Sequence, residues 1–245
     1  MSPKRGPVAD PKATAARLVE ELRASGSEEG RAGMARYGIA VDDAFGVSIV
    51  RIRELCKPFR RDHALARELW AAGQHEARLA ATFVDDPAQV TREQMEQWAE
   101  AFDSWDLTDQ VTTSLFDLSP LAWDVAAEWS WRPEEFVKRG GFALMAGLAV
   151  HDKAATDERF VALLPMIERE AGDGRNFVKK AVNWALRNIG KRDLALNAEA
   201  VACAERILET AGTSREPGAR SQRWVGSDAR RELTSEKVRS RLGRV

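Results

Sequence analysis

The sequence predicts an all-α fold, a curved solenoid of antiparallel helix pairs forming a single domain. Three observations predict it. Apolar residues recur at intervals of three and four along nearly every segment. Helix-start signals follow one another at short spacing. Alternating strand patterns and Asn-Gly hairpin signals are missing.

Taken in chain order, "MSPKRGPVADPK" has no apolar segment after its basic residues, so it reads as a disordered tail over 1–12 and not as a secretory signal. Residues 13–245 are expected to form the repeat domain. "TREQMEQWAEAF" opens with Thr91 as N-cap and Gln94 three residues on, a capping-box pattern. "SPLAWDVAAEW" offers Ser119 as cap with Pro120 in the first turn. "RPEEFVKRGGFALMAGLAV" begins with Pro133 and two glutamates. Helices of about 10–18 residues joined by short Gly, Pro or Asp turns suit antiparallel pairs. Pairs about forty residues apart are compatible with a HEAT-like solenoid, with a compact bundle as the rival. No linker is long enough to divide domains.

Composition narrows the function. No uncharged apolar run could span a bilayer. Cys56 and Cys203 lack ligand spacing and suggest reduced structural thiols in a cytoplasmic protein. His63, His75 and His151 are scattered, so neither a metal nor a cofactor is expected. Net charge is −1, but its distribution is uneven. Residues 85–136 hold thirteen acids against Arg92 and Arg132, whereas 138–192 hold eleven Lys or Arg against six acids. Such asymmetry can place a basic face on a neutral protein, or it can describe solvated helix surfaces whose charges interleave.

Two stretches carry candidate chemistry. In "FVKKAVNWALRNIGKR", Val178, Val182, Ala185 and Ile189 form an apolar stripe. Lys180, Trp184, Arg187 and Lys191 form a second, at spacings of four, three and four. An aromatic surface framed by cations suits an anionic, ring-bearing polymer. Alternatively, Trp184 covers the edge of the core while the cations snorkel around it. In "FDSWDLTDQVTTSLFDL", Trp105 and Asp109 lie four apart and share a helix face, and Asp and Thr are mediocre helix formers. In "KRGGFALMAGLA", Gly140 and Gly141 cost about 2 kcal/mol relative to alanine, which close approach to a neighbouring helix or a ligand would repay.

The order "WDLTD", "FVKRGGFALMAGLAVHDK", "RNFVKKAVNWALRNIGKRD", "RWVGSDARREL" resembles the DNA alkylation repair family of HEAT-like-repeat DNA glycosylases, from about residue 34 to about 242. The resemblance implies a concave DNA-binding surface lined by Trp105, Asp109, Arg139 and Trp184. It further implies excision of N3- or N7-alkylated purines without an enclosed base pocket. Asp109, Trp105 and Trp184 would be catalytic. Arg139 would hold a phosphate, with Lys138, Lys179, Lys180, Arg187 and Lys191 as further DNA contacts. The expected partner is double-stranded DNA with alkylated bases, bound by a monomer away from any membrane. A non-catalytic relative that binds branched or distorted DNA is the alternative, and a protein scaffold a third.

Overall fold

The computed structural model describes residues 8–243, and among them there is helix and turn but no strand. Residues 1–7 of the expected tail lie outside the described residues. Pro11 and Lys12, by contrast, already belong to the first helix, which Asp10 caps by accepting from the Ala13 amide. The chain packs as two compact units, one ending at Ser119 and one starting at Pro120. No long linker marks the division, because it falls between two adjacent residues of a tight turn.

The first unit contains α1 (Pro11–Ala24), α2 (Glu28–Arg36), α3 (Ile49–Cys56), α4 (His63–Ala72), α5 (His75–Val84), α6 (Arg92–Ala99) and α7 (Trp105–Ser114). Half-buried Trp70 stacks in parallel on buried Trp98 at 3.9 Å, and Phe116 of the core tilts against Trp98 at 5.8 Å. Glu76, fully buried at the start of α5, accepts from the amides of Phe45, Gly46 and Val47 at 2.7–3.0 Å. That carboxylate satisfies three loop donors that would otherwise be orphaned.

The second unit contains α8 (Ala122–Trp129), α9 (Glu135–His151), α10 (Asp157–Val161), α11 (Leu164–Glu170), α12 (Asn176–Ile189), α13 (Leu194–Ala211), α14 (Pro217–Leu233) and α15 (Glu236–Leu242). Its contacts show the repeat. Trp123 donates to Asp152, while the other end of α8 meets Gly141, so α8 and α9 run antiparallel. Asn197 donating to Leu233 O and Arg223 to Gly212 O make α13 and α14 a second antiparallel pair. The second helices then stack in parallel: α9 meets α12 at Arg139–Phe177, Asn188–Ala146 and Arg192–Ala149, and α12 meets α14 at Asn183–Asp228 and Lys191–Glu232. These offsets, 38 to 45 residues, reproduce the forty-residue spacing read from the sequence and settle the architecture as HEAT-like, with no simple bundle order.

Local signals fare unevenly. Thr91 caps α6 by accepting from the Gln94 backbone amide at 3.2 Å, but the Gln94 side chain turns to Asp85 at 2.6 Å, so only half of the expected capping box forms. Ser119 does not cap α8. Its amide closes the preceding 3₁₀ turn on Phe116 O, and the helix begins at Ala122 behind Leu121. Pro133 likewise stands outside α9, where its carbonyl accepts from Arg175 at 2.6 Å. Gly141 has the close approach its sequence suggested: a Cβ there would lie 2.7 Å from the Ser130 nitrogen and 2.9 Å from the Trp129 carbonyl carbon. The approach is to a helix, α8, and not to a ligand.

Candidate nucleic-acid interface

α7 carries Trp105 and Asp109 one turn apart, both half-buried, while Leu107 and Val111 point into the core. Its threonines are not surface residues. Thr108 and Thr112 are fully buried, and their hydroxyls bond back to the carbonyls of Ser104 and Thr108 at 2.8 and 2.7 Å. That back-bonding lets poor helix formers serve on a packed face. Two further bonds fix the first turn. The Trp105 indole donates to Tyr37 O at 2.9 Å, and His75 Nε2 lies 2.9 Å from Asp106 Oδ2. Burial by itself would lower the His75 pKa. The hydrogen bond to Asp106, with the charges of Asp106, Glu76 and Asp103, outweighs it and holds the imidazolium form above its usual range. His75 had no expected role; its position at the N-terminus of α5 gave no sequence signal of its partner.

α12 confirms one stripe and rearranges the other. Val178, Val182, Ala185 and Ile189 are all fully buried. The expected cationic stripe divides into three environments. Lys180 is exposed without an ion-pair partner, and Trp184 is half-buried with neither a hydrogen bond nor a ring contact among the described residues. Arg187 bonds Glu232 at 2.5 Å and reaches Asp228 at 3.4 Å, and Lys191, just past the helix end, bonds Glu232 at 2.8 Å. Burial alone would raise the Glu232 pKa, but the Lys191 bond and the two cations hold it below the usual carboxylate range. Lys179, a fourth cation, sits 5.5 Å above the Trp224 ring of α14.

The two cations of α9 are also engaged. Lys138 bonds Glu170 at 2.5 Å and approaches Asp173 at 3.8 Å. Asp173 is held below its usual range: burial opposes ionisation, but the Arg175 bonds and charge, with Lys138, prevail. Arg139, the expected phosphate contact, is largely enclosed. It is 6% exposed and donates to Phe177 O at 2.6 Å, bridging α9 and the first turn of α12. The physical reason is that α9 is buried along almost its whole length, leaving no outward face at position 139.

Sequence reasoning missed Asp228, Glu232 and Trp224. Each lies 40 to 45 positions after an α12 residue of interest, so the repeat period could have found them. Cys56 and Cys203 are free and buried, and burial pushes both thiols up to about 12. Among the described residues no group of His, Cys, Asp and Glu is arranged to hold a metal ion, and no helix is long and apolar enough to cross a membrane.

Parallel stacking of antiparallel helix pairs is the arrangement of a HEAT-like repeat protein. Residues 18–231 match the DNA alkylation repair enzyme family, and the chain belongs to that family. A solved structure described as "a new family of proteins related to the HEAT-like repeat DNA glycosylases with affinity for branched DNA structures" is 23% identical. It superposes with a TM-score of 0.75 over 93% of this chain and 95% of that one. At that identity the likeness concerns the fold. No curated protein matches the chain.

Proposed function

We propose that this protein is a DNA glycosylase that excises cationic N3- and N7-alkylated purines from duplex DNA. The observation that carries the reading is Asp109, half-buried one turn after Trp105 on a helix whose first turn is tied down by Tyr37 and His75. Alkylation puts positive charge on the purine, so its bond to C1′ is already weak and the base can leave without being protonated. As that bond breaks, its electron pair goes to the purine and neutralises it, and oxocarbenium character grows on the deoxyribose. A carboxylate stabilises that charge and orients the water whose oxygen bonds to C1′. The water's proton passes to the carboxylate and then to solvent. Trp105, one turn before Asp109, supplies a π face for that cation, and Trp184 is proposed as a further aromatic contact to the damaged strand. The chemistry requires no cofactor.

Single-turnover excision of 7-methylguanine from duplex DNA tests this. Asp109→Asn should slow release by roughly a hundred- to thousandfold while DNA affinity stays within about twofold. Trp184→Ala should slow it by roughly two- to thirtyfold. Wild-type protein that binds but releases no base sinks the reading. A second reading, non-catalytic binding of branched DNA, then takes its place. It is favoured by the description of the similar structure.

A further inference from the structure

The seam between α12 and α14 is a ladder with unlike ends. Because the helices run parallel, residues four apart on one meet residues four apart on the other: Lys179 faces Trp224, Asn183 bonds Asp228 at 2.7 Å, and Arg187 and Lys191 close on Asp228 and Glu232. Toward the C-terminal end every cation is matched by a carboxylate. At the N-terminal end Lys179 meets an aromatic ring instead, that of Trp224, a residue 39% exposed. Lys180 beside it and Arg220, one turn before Trp224 on the same face of α14, are exposed. No carboxylate pairs with Lys179, Lys180 or Arg220 among the described residues. The nearby Asp173 is taken up by Arg175 and Lys138.

We infer that this open end of the ladder is a binding station for an unpaired nucleotide of a DNA strand. Lys179, Lys180 and Arg220 would hold its phosphates and the Trp224 indole would stack on its base. Three cations without acids and one accessible ring match the two things a nucleotide offers, a phosphodiester charge and a π face. Bases inside a duplex are stacked on each other and cannot use the indole. Trp224 therefore selects strands with unpaired bases, whereas the lysines serve any strand. The closed end, with Arg187 and Lys191 held by Glu232, contributes little. This inference rests on the DNA-binding part of the proposed function and not on excision.

The test is fluorescence anisotropy with a labelled duplex and the same duplex carrying an unpaired single-stranded branch, over a salt series. Wild type should favour the branched DNA by about fivefold or more, Trp224→Ala should erase that preference, and Trp224→Phe should keep most of it. Lys179→Gln with Lys180→Gln should weaken both DNAs equally and flatten the log–log salt slope by about 1.8, two phosphate contacts' worth. Arg187→Ala with Lys191→Ala should change either affinity by less than about twofold. Equal binding of the two DNAs by wild type, an unchanged preference in Trp224→Ala, or a dominant Arg187/Lys191 effect overturns the inference while leaving DNA binding itself standing. Should Trp224→Ala fail to fold, Trp224→Phe and Arg220→Ala carry the same test. No affinity for any DNA at low salt overturns the proposed function and this inference together.

Discussion

α7 and α12 each present a half-buried tryptophan beside charged residues, yet they hold it by opposite means. On α7 the tryptophan is pinned by its own hydrogen bond to Tyr37 O, and the helix start is fixed by the bond between buried His75 and half-buried Asp106. On α12 the tryptophan makes no polar contact, and the helix is fixed instead through its neighbours: struts to backbone carbonyls on one side and the side-chain ladder to α14 on the other. The α7 arrangement suits a site where one carboxylate must sit still. The α12 arrangement leaves the ring able to adapt and gives the surrounding charge to the protein's own carboxylates.

The largest effect should come from breaking the α7 anchor. His75→Ala leaves the half-buried Asp106 carboxylate without its partner, and its second oxygen, itself enclosed, already lacks one among the described residues. Removing one member of such a pair should cost about 3 kcal/mol in chemical denaturation. Its pH dependence has a definite sign. The folded-state pKa of His75 is raised, so the stabilisation is full below the unfolded value of about 6.5 and is lost as pH rises through the folded value. Wild type should therefore weaken on the alkaline side, and His75→Gln should flatten that limb. An unchanged alkaline limb would mean the pair does not anchor α7.

The α12 ladder should behave in mirror image and more weakly. Glu232 has a depressed pKa, so its contribution is present above the ordinary carboxylate value of about 4.5 and is lost as pH falls through the folded value. Glu232→Gln should cost about 1 kcal/mol, since these groups are a quarter to a third exposed and solvent screens them. It should also shrink the acid-side loss and raise affinity for duplex DNA modestly by freeing Arg187 and Lys191. A cost as large as that of His75→Ala would show that the ladder is as deeply held as the α7 anchor.

How far the sequence could be read follows from the same contrast. Periodicity within a helix names its faces, so the buried Val178–Ile189 stripe and the shared face of Trp105 and Asp109 were legible. Periodicity does not say what stands opposite. The partners of Arg187, Lys191 and Lys138 come from other helices, and Arg139 is buried because α9 is enclosed by neighbours on nearly every side. Helix starts were legible where one side chain closes the cap, as at Thr91. They were not at Ser119 and Pro133, where the turn before the helix claims the same residue.

The smallest effects test the contrast most directly, by making the same change on both helices. Trp105→Phe and Trp184→Phe each trade an indole for a phenyl ring at a half-buried position, so the loss of apolar area is comparable. Only Trp105 also loses a hydrogen bond, the one to Tyr37 O. Tyr37 is 73% exposed, so water can reach the freed carbonyl and limits the cost to about 0.5–1 kcal/mol. Trp184→Phe has no such bond to lose and should cost less than about 0.5 kcal/mol beyond the shared area term. Phenyl offers a smaller π face than indole, so if Trp184 contacts the damaged strand as proposed, Trp184→Phe should still slow excision by a fewfold. The comparison fails if the two variants lose equal stability, because the Tyr37 bond would then contribute nothing to holding Trp105. If Trp184→Phe is the more destabilising and excises at the normal rate, Trp184 is the edge of the core and its place among the lysines and arginines has no catalytic consequence.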